Sequence, residues 1–178
     1  MKLNKIMMAA VIVLGVSSVA HAATKDQGHG KVTFTGSIID APCSITPDSI
    51  DQTIELGQVS NVALKGGGQS NPRNFSIDLE NCELGEKDNN KVSVTFTGME
   101  SSADNGLLGV TGTAKGASVA ITDGSGKVIE LGKASRAQLL QNGKNSLNFA
   151  AYMQGNGASA VITEGEFQAV VGFTLAYQ

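Results

Sequence analysis

The chain ends Phe167-Gln168-Ala169-Val170-Val171-Gly172-Phe173-Thr174-Leu175-Ala176-Tyr177-Gln178. In an extended backbone successive side chains point to opposite faces. Phe167, Ala169, Val171, Phe173, Leu175 and Tyr177 therefore share one face, with Gln168, Val170, Gly172, Thr174, Ala176 and Gln178 on the other. A strand this regular is ordinarily an interior strand with a neighbour on each side, yet no later segment follows to supply the second one.

The same period of two recurs upstream, and a helical period is nearly absent. Val32, Phe34, Gly36 and Ile38 alternate with Lys31, Thr33, Thr35 and Ser37. Phe75, Ile77 and Leu79 alternate with Ser76, Asp78 and Glu80 up to Cys82. Val92, Val94 and Phe96 repeat the pattern, as do Leu147, Phe149, Ala151 and Met153. Val119 and Ile121 lead into Asp123-Gly124-Ser125-Gly126 and out through Val128, Ile129 and Leu131, the signature of a hairpin. Connectors rich in Gly, Asn, Ser and Asp separate these runs, and one helical turn is expected over Ala134–Gln141. Many short strands with turn signals between them predict an antiparallel β-sandwich.

Composition agrees with that class and excludes others. The 178 residues include 22 Gly, no Trp and 4% aromatic residues, which favours strands and turns over a large aromatic core. Thirteen Lys+Arg against 16 Asp+Glu leave a net charge of −3, the wrong sign for a nucleic-acid binder. Lys2 and Lys5 precede an apolar run from Ile6 to Val16, and Ser17-Ser18-Val19-Ala20-His21-Ala22-Ala23 follows. This is the pattern of a secretory signal peptide over residues 1–22, with cleavage expected after Ala22 or Ala23. The apolar run is short of the roughly 20 residues a spanning helix needs, and no later run reaches that length.

The mature chain expected from Ala23 has 156 residues and a charge of −5, from 11 Lys+Arg against 16 Asp+Glu. Export to an oxidising compartment makes Cys43 and Cys82 a disulfide pair rather than metal ligands. The two lie 39 positions apart, and closing a loop of that length removes about 3 to 4 kcal/mol of unfolded-state entropy on the chain-entropy model.

Reactive groups are scarce. His29 is the single histidine after the leader, in a Gly-rich stretch unsuited to holding a Ser-His-Asp triad. Structural metal sites commonly use four Cys or His ligands, and the mature chain expected from Ala23 holds only Cys43, Cys82 and His29. Asp78 and Glu80 share a strand face, an arrangement open to a glycosidase-like carboxylate pair, but they fit better as the solvated side of a sandwich strand. Asp123-Gly124-Ser125-Gly126 lacks the further acidic ligands of a calcium loop and reads as a tight turn. No enzyme, metal or cofactor is expected. The two terminal segments then admit two readings: ordinary strands of one complete sandwich, or complementary halves of a contact between chains, since an exposed apolar strand edge is a template for another chain.

Gln27-Gly28-His29-Gly30-Lys31-Val32-Thr33-Phe34-Thr35-Gly36-Ser37-Ile38-Ile39-Asp40-Ala41-Pro42-Cys43-Ser44-Ile45 resembles the start of chaperone-usher pilins, in particular the major rod subunits of P pili and mannose-resistant Proteus-like fimbriae. Gly165 with the alternating residues to Tyr177 is similar to that family's C-terminal motif, and Asn148-Phe149-Ala150-Ala151-Tyr152 to the strand before it. The resemblance spans the whole mature chain. It implies an incomplete immunoglobulin-like sandwich lacking its final strand and completed by donor-strand exchange, a strand-addition mode already known for such pilins.

On that resemblance, residues 23–38 form a donor-strand extension presenting Val32, Phe34, Gly36 and Ile38, and residues 39–178 form the pilin domain. Gly165, Phe167, Ala169, Val171, Phe173, Leu175 and Tyr177 border the acceptor groove. Three donor side chains would bury about 5 to 9 kcal/mol of apolar contact before ordering costs. Gly36 marks a place where the groove is too shallow for a side chain. The implied partners are a periplasmic chaperone, an outer-membrane usher and identical or related pilins, and the implied location is a cell-surface fimbrium reached through the periplasm. A minor adaptor pilin is the nearest alternative, and a small secreted carbohydrate-binding sandwich a more distant one.

Overall fold

The computed structural model describes residues 27–85, 90–103 and 106–178. The leader expected at 1–22 and the first residues of the expected extension lie outside that range. The chain divides into two units, Met1–Ile38 and Ile39–Gln178.

In the first unit, residues 27–38 carry no regular secondary structure. The alternation of Val32, Phe34, Gly36 and Ile38 thus enters no ladder within its own chain. A strand needs a partner for its N–H and C=O groups, and without one only the side-chain pattern remains. Val32, Phe34 and Ile38 are 75%, 90% and 104% exposed.

The second unit is built from strands β1 (Ser44–Ile45), β2 (Arg73–Cys82), β3 (Lys91–Gly98), β4 (Thr111–Gly112), β5 (Ala117–Asp123), β6 (Gln138–Leu139), β7 (Gly143–Gly155), β8 (Phe167–Gln168) and β9 (Val171–Tyr177). They form a four-stranded sheet in the order β1-β2-β7-β5, a three-stranded sheet in the order β6-β3-β9, and a small β4-β8 pair. All ladders are antiparallel. Single-turn helices α1 (Pro47–Ile50) and α2 (Asn61–Leu64) interrupt the connection from β1 to β2. Pro47 opens α1, where its missing N–H costs nothing, and the Ser60 side chain caps α2 by accepting from Val62 N.

The alternating residues close the sandwich. Ile77, Leu79, Leu147 and Phe149 from the larger sheet meet Val92, Val94 and Phe96 from the smaller in one core. Phe96 stands edge-on to Phe149 with ring centroids 5.3 Å apart, an arrangement that matches ring edge to ring face. The Cys43–Cys82 disulfide forms at the rim of this core and joins the residue before β1 to the end of β2. A second core gathers Leu64, Leu108, Val119, Ala151 and Met153.

Two expectations need correction. Ala134–Gln141 is not a helical turn: Ser135 N donates to Val94 O at 2.8 Å, Ser135 Oγ accepts from Val94 N at 2.9 Å, and Gln138–Leu139 is β6. Pairing with β3 takes the backbone groups that a helix would have used internally. The C-terminal run is also not one strand. It divides into β8, paired with β4, and β9, paired with β3, while Ala169 and Val170 join neither. The hairpin after β5 is abbreviated, since its return holds by a single bridge, Thr122↔Val128, and by Ile129 N donating to Ile121 O at 2.8 Å.

Candidate functional site

The inward residues of the central strands are fully covered: Ile77 is 0% exposed, Val94 0% and Leu147 1%. Those of the C-terminal run are not. Phe167, Ala169, Val171, Phe173, Leu175 and Tyr177 are all only half-buried, although they alternate as strictly as any in the chain. Val171, Phe173, Leu175 and Tyr177 face the apolar interior from β9, which stands at the edge of its sheet, and Phe167 and Ala169 pack against the second core just before it. An apolar face left half-covered beside an open edge is what remains when one strand of a sandwich is missing.

The opening is a groove of about 1300 Å³. One wall is the C-terminal run, which contributes Gly165, Phe167, Ala169, Val171 and Phe173 to the lining. Leu175 and Tyr177 do not line the groove; both pack against the first core, and burial pushes the Tyr177 phenol up from its ordinary pKa. The floor includes Phe75, Ile77, Phe96 and Met153. Burial of apolar side chains against such a floor is worth about 1.5 to 3 kcal/mol each.

The facing wall is residues 51–59, which the sequence reading did not single out. Gln52, Ile54 and Leu56 are half-buried while Asp51, Thr53 and Glu55 are exposed, the period of a strand. No residue of 51–59 enters a ladder; the Gln52 side chain instead donates from Nε2 to Ser76 O at 3.1 Å. The signal that could have found this wall is the alternation Ile54, Leu56 against Thr53, Glu55. The groove is therefore flanked by two strand-like segments whose facing backbones are not paired with each other.

Gly165 stands where the C-terminal wall runs closest to Thr113 and Ala114, the residues that follow β4. A Cβ there would fall on Thr113 Oγ1 and 2.7 Å from Ala114 N. Thr113 N and Ala114 N both donate to Glu166 O, at 3.0 and 3.1 Å, and Glu166 N donates to Thr113 Oγ1 at 3.0 Å. Only a residue without a side chain permits this close approach.

The polar groups considered for chemistry serve local structure. Asp78 Oδ1 accepts from Ser146 Oγ at 2.6 Å across the β2-β7 ladder. Asp123 Oδ1 accepts from Ser125 N, Ser125 Oγ and Lys127 N, at 2.9, 2.6 and 3.0 Å, and so closes the turn after β5. These bonds, the Ser125 hydroxyl first, hold its carboxyl below the ordinary pKa. Among the described residues no three His, Cys, Asp or Glu side chains are grouped to hold a metal ion, and no helix is long and apolar enough to cross a membrane.

Comparison with known proteins bears on the same surface. The family model described as "Fimbrial protein" matches residues 32–178. The chain is 60% identical over 178 residues to the Fimbria A protein of Serratia marcescens, covering 100% of both. It is 54% identical over 180 residues to the Major MR/P fimbria protein of Proteus mirabilis, again covering 100% of both. Among solved structures it is similar to a chain in a chaperone-usher pilus, with 35% identity and a TM-score of 0.77, covering 88% of this chain and 100% of that one.

Proposed function

Because the chain belongs to the fimbrial protein family, a structural family with an incomplete immunoglobulin-like fold, we propose that it is the major subunit of a chaperone-usher fimbria and that it polymerises through its open groove. The observation that carries this reading is the half-covered C-terminal wall. Its apolar residues need a cover, and the extension of a neighbouring subunit supplies one of the right shape. Val32, Phe34 and Ile38 have the spacing of one strand face and stand exposed in the free chain. Entering the groove, they contribute about 5 to 9 kcal/mol of apolar burial before ordering costs, and the inserted backbone pairs with the open edges of both walls.

On this reading residues 1–22 are the export leader, 23–38 the donor extension and 39–178 the acceptor domain. A periplasmic chaperone covers the groove until an outer-membrane usher admits the next subunit, and the product is a cell-surface fimbrium. The chain acts by assembly and carries out no catalysis of its own. The test is the state of the mature chain isolated from cells. A polymer that survives cold detergent and collapses to a single band on boiling is expected; a soluble monomer would overturn the proposal.

A further inference from the structure

Charge is unevenly distributed along this chain. Residues 23–38 hold Lys25 and Lys31 against Asp26, whereas residues 39–178 hold nine Lys+Arg against fifteen Asp+Glu. The groove continues the segregation. Its walls carry Asp51, Glu55, Glu164 and Glu166 against Lys115, and all five are exposed. Glu164 Oε1 accepts from Asn61 Nδ2 at 2.8 Å, and Lys115 Nζ donates to Gly112 O at 3.0 Å. Among the described residues the ion pair formed is Lys133–Glu130, away from the groove, so none of the wall carboxylates is paired with a cation of the described chain.

We propose that the groove selects its occupant by charge: its acidic walls draw in the basic extension of a second copy of this chain, and Lys31 of that copy settles beside Asp51. The inference rests on the donor reading above. Every ladder in the fold is antiparallel, and antiparallel pairing is slightly the more stable per residue. An extension antiparallel to β9 brings Val32 to the Phe173 end and Ile38 to the Phe167 end. Asp51 belongs to the first of these. Ile45, shortly before it, shares a core with Phe173 and Leu175, whereas Leu56 and Val59, beyond it, share the other core with Phe167 and Ala169. With Val32 turned inward, Lys31 turns outward next to the exposed carboxylate. Entry in the opposite direction would instead place Lys31 near Glu164 and Glu166.

Charges at the mouth of a groove raise the rate of encounter, commonly by 10-fold or more, and salt removes the effect as the screening length falls to about 3 Å at 1 M. The experiment adds a labelled synthetic peptide of residues 23–38 to the mature chain held by its chaperone and follows insertion by native electrophoresis. Insertion is expected to slow about tenfold between low salt and roughly 1 M salt. A Lys31→Glu peptide should be similarly slow at low salt, and an Asp51→Lys acceptor should restore its rate. Asp51 is exposed, so this reversal leaves the core intact. Rates indifferent to salt and to both reversals overturn the inference while leaving the donor reading standing. Rescue by Glu166→Lys in place of Asp51→Lys overturns the pairing. Failure of the unaltered peptide to enter at all removes the donor reading, and this inference with it.

Discussion

Substituting Gly165 by alanine tests whether the segment leading into β8 approaches Thr113 and Ala114, just after β4, as tightly as the structure describes. The added methyl would meet Thr113 Oγ1, Ala114 N at 2.7 Å and the Thr113 carbonyl carbon at 2.8 Å. Those atoms cannot retreat freely, because Thr113 N, Thr113 Oγ1 and Ala114 N are all bonded to Glu166. Overpacking of this kind costs about 1 to 3 kcal/mol, and loosening one of the bonds adds about 1 kcal/mol. A loss of about 2 to 4 kcal/mol is therefore expected. For a domain of this size that lowers the melting temperature by roughly 5 to 15 °C.

The assay uses a chain carrying a second copy of residues 23–38 after Gln178 on a flexible linker, so that the groove is filled, with thermal unfolding followed by circular dichroism. Gly126→Ala is the comparison. It shares a left-handed backbone, φ +83°, but has no atom within 4 Å of the added Cβ, and its cost should stay near the roughly 1 kcal/mol of conformational strain. A Gly165→Ala melt within a degree of the parent, or one matching Gly126→Ala, would refute the reasoning.

Replacing both Cys43 and Cys82 by serine should cost about 3 to 4 kcal/mol on the chain-entropy model, read as a lower urea midpoint for the same self-complemented chain; an unchanged midpoint would count against it. Gly36→Asn should leave the chain foldable with its chaperone yet unable to serve as a donor, and normal polymer from that variant would show that the groove has room at this position. Asp123 supplies a pH dependence. Its folded carboxyl lies below the ordinary value of 3.8, so its contribution is fully present above about pH 4 and is lost as pH falls through the depressed value. Asp123→Asn should reduce the acid sensitivity of unfolding, and equal pH profiles for variant and parent would contradict this.

The strands built around the core were legible because their inward residues are uniformly apolar: Phe75, Ile77 and Leu79 in β2, Val92, Val94 and Phe96 in β3, Leu147 to Met153 in β7. Alternation reports which face is covered, however, and says nothing of which strand lies alongside. That is why the run from Phe167 to Tyr177 read as one strand although its two parts belong to different ladders. The same silence hid the wall at 51–59, whose inward positions include the polar Gln52 and whose period breaks at Gly57. Ala134–Gln141 misled in the other direction. Its helix-favouring residues express a preference worth a few tenths of a kcal/mol each, too little to hold the backbone against pairing with β3. The disulfide was legible from export and cysteine count alone.

The position of that disulfide has a mechanical consequence for a fibre made of such subunits. Load passed along the fibre reaches each subunit through its extension and enters the body at Ile39. The first strand it meets is β1, only two residues long and held by two register pairs with β2, an element that would peel away bond by bond. Cys43 lies immediately before β1 and is covalently tied to Cys82 at the far end of β2. Tension therefore bypasses β1 and is delivered into β2, which is held to β7 by a far longer antiparallel ladder. A fibre whose cysteines were reduced would begin to unravel at its weakest strand instead of its strongest sheet.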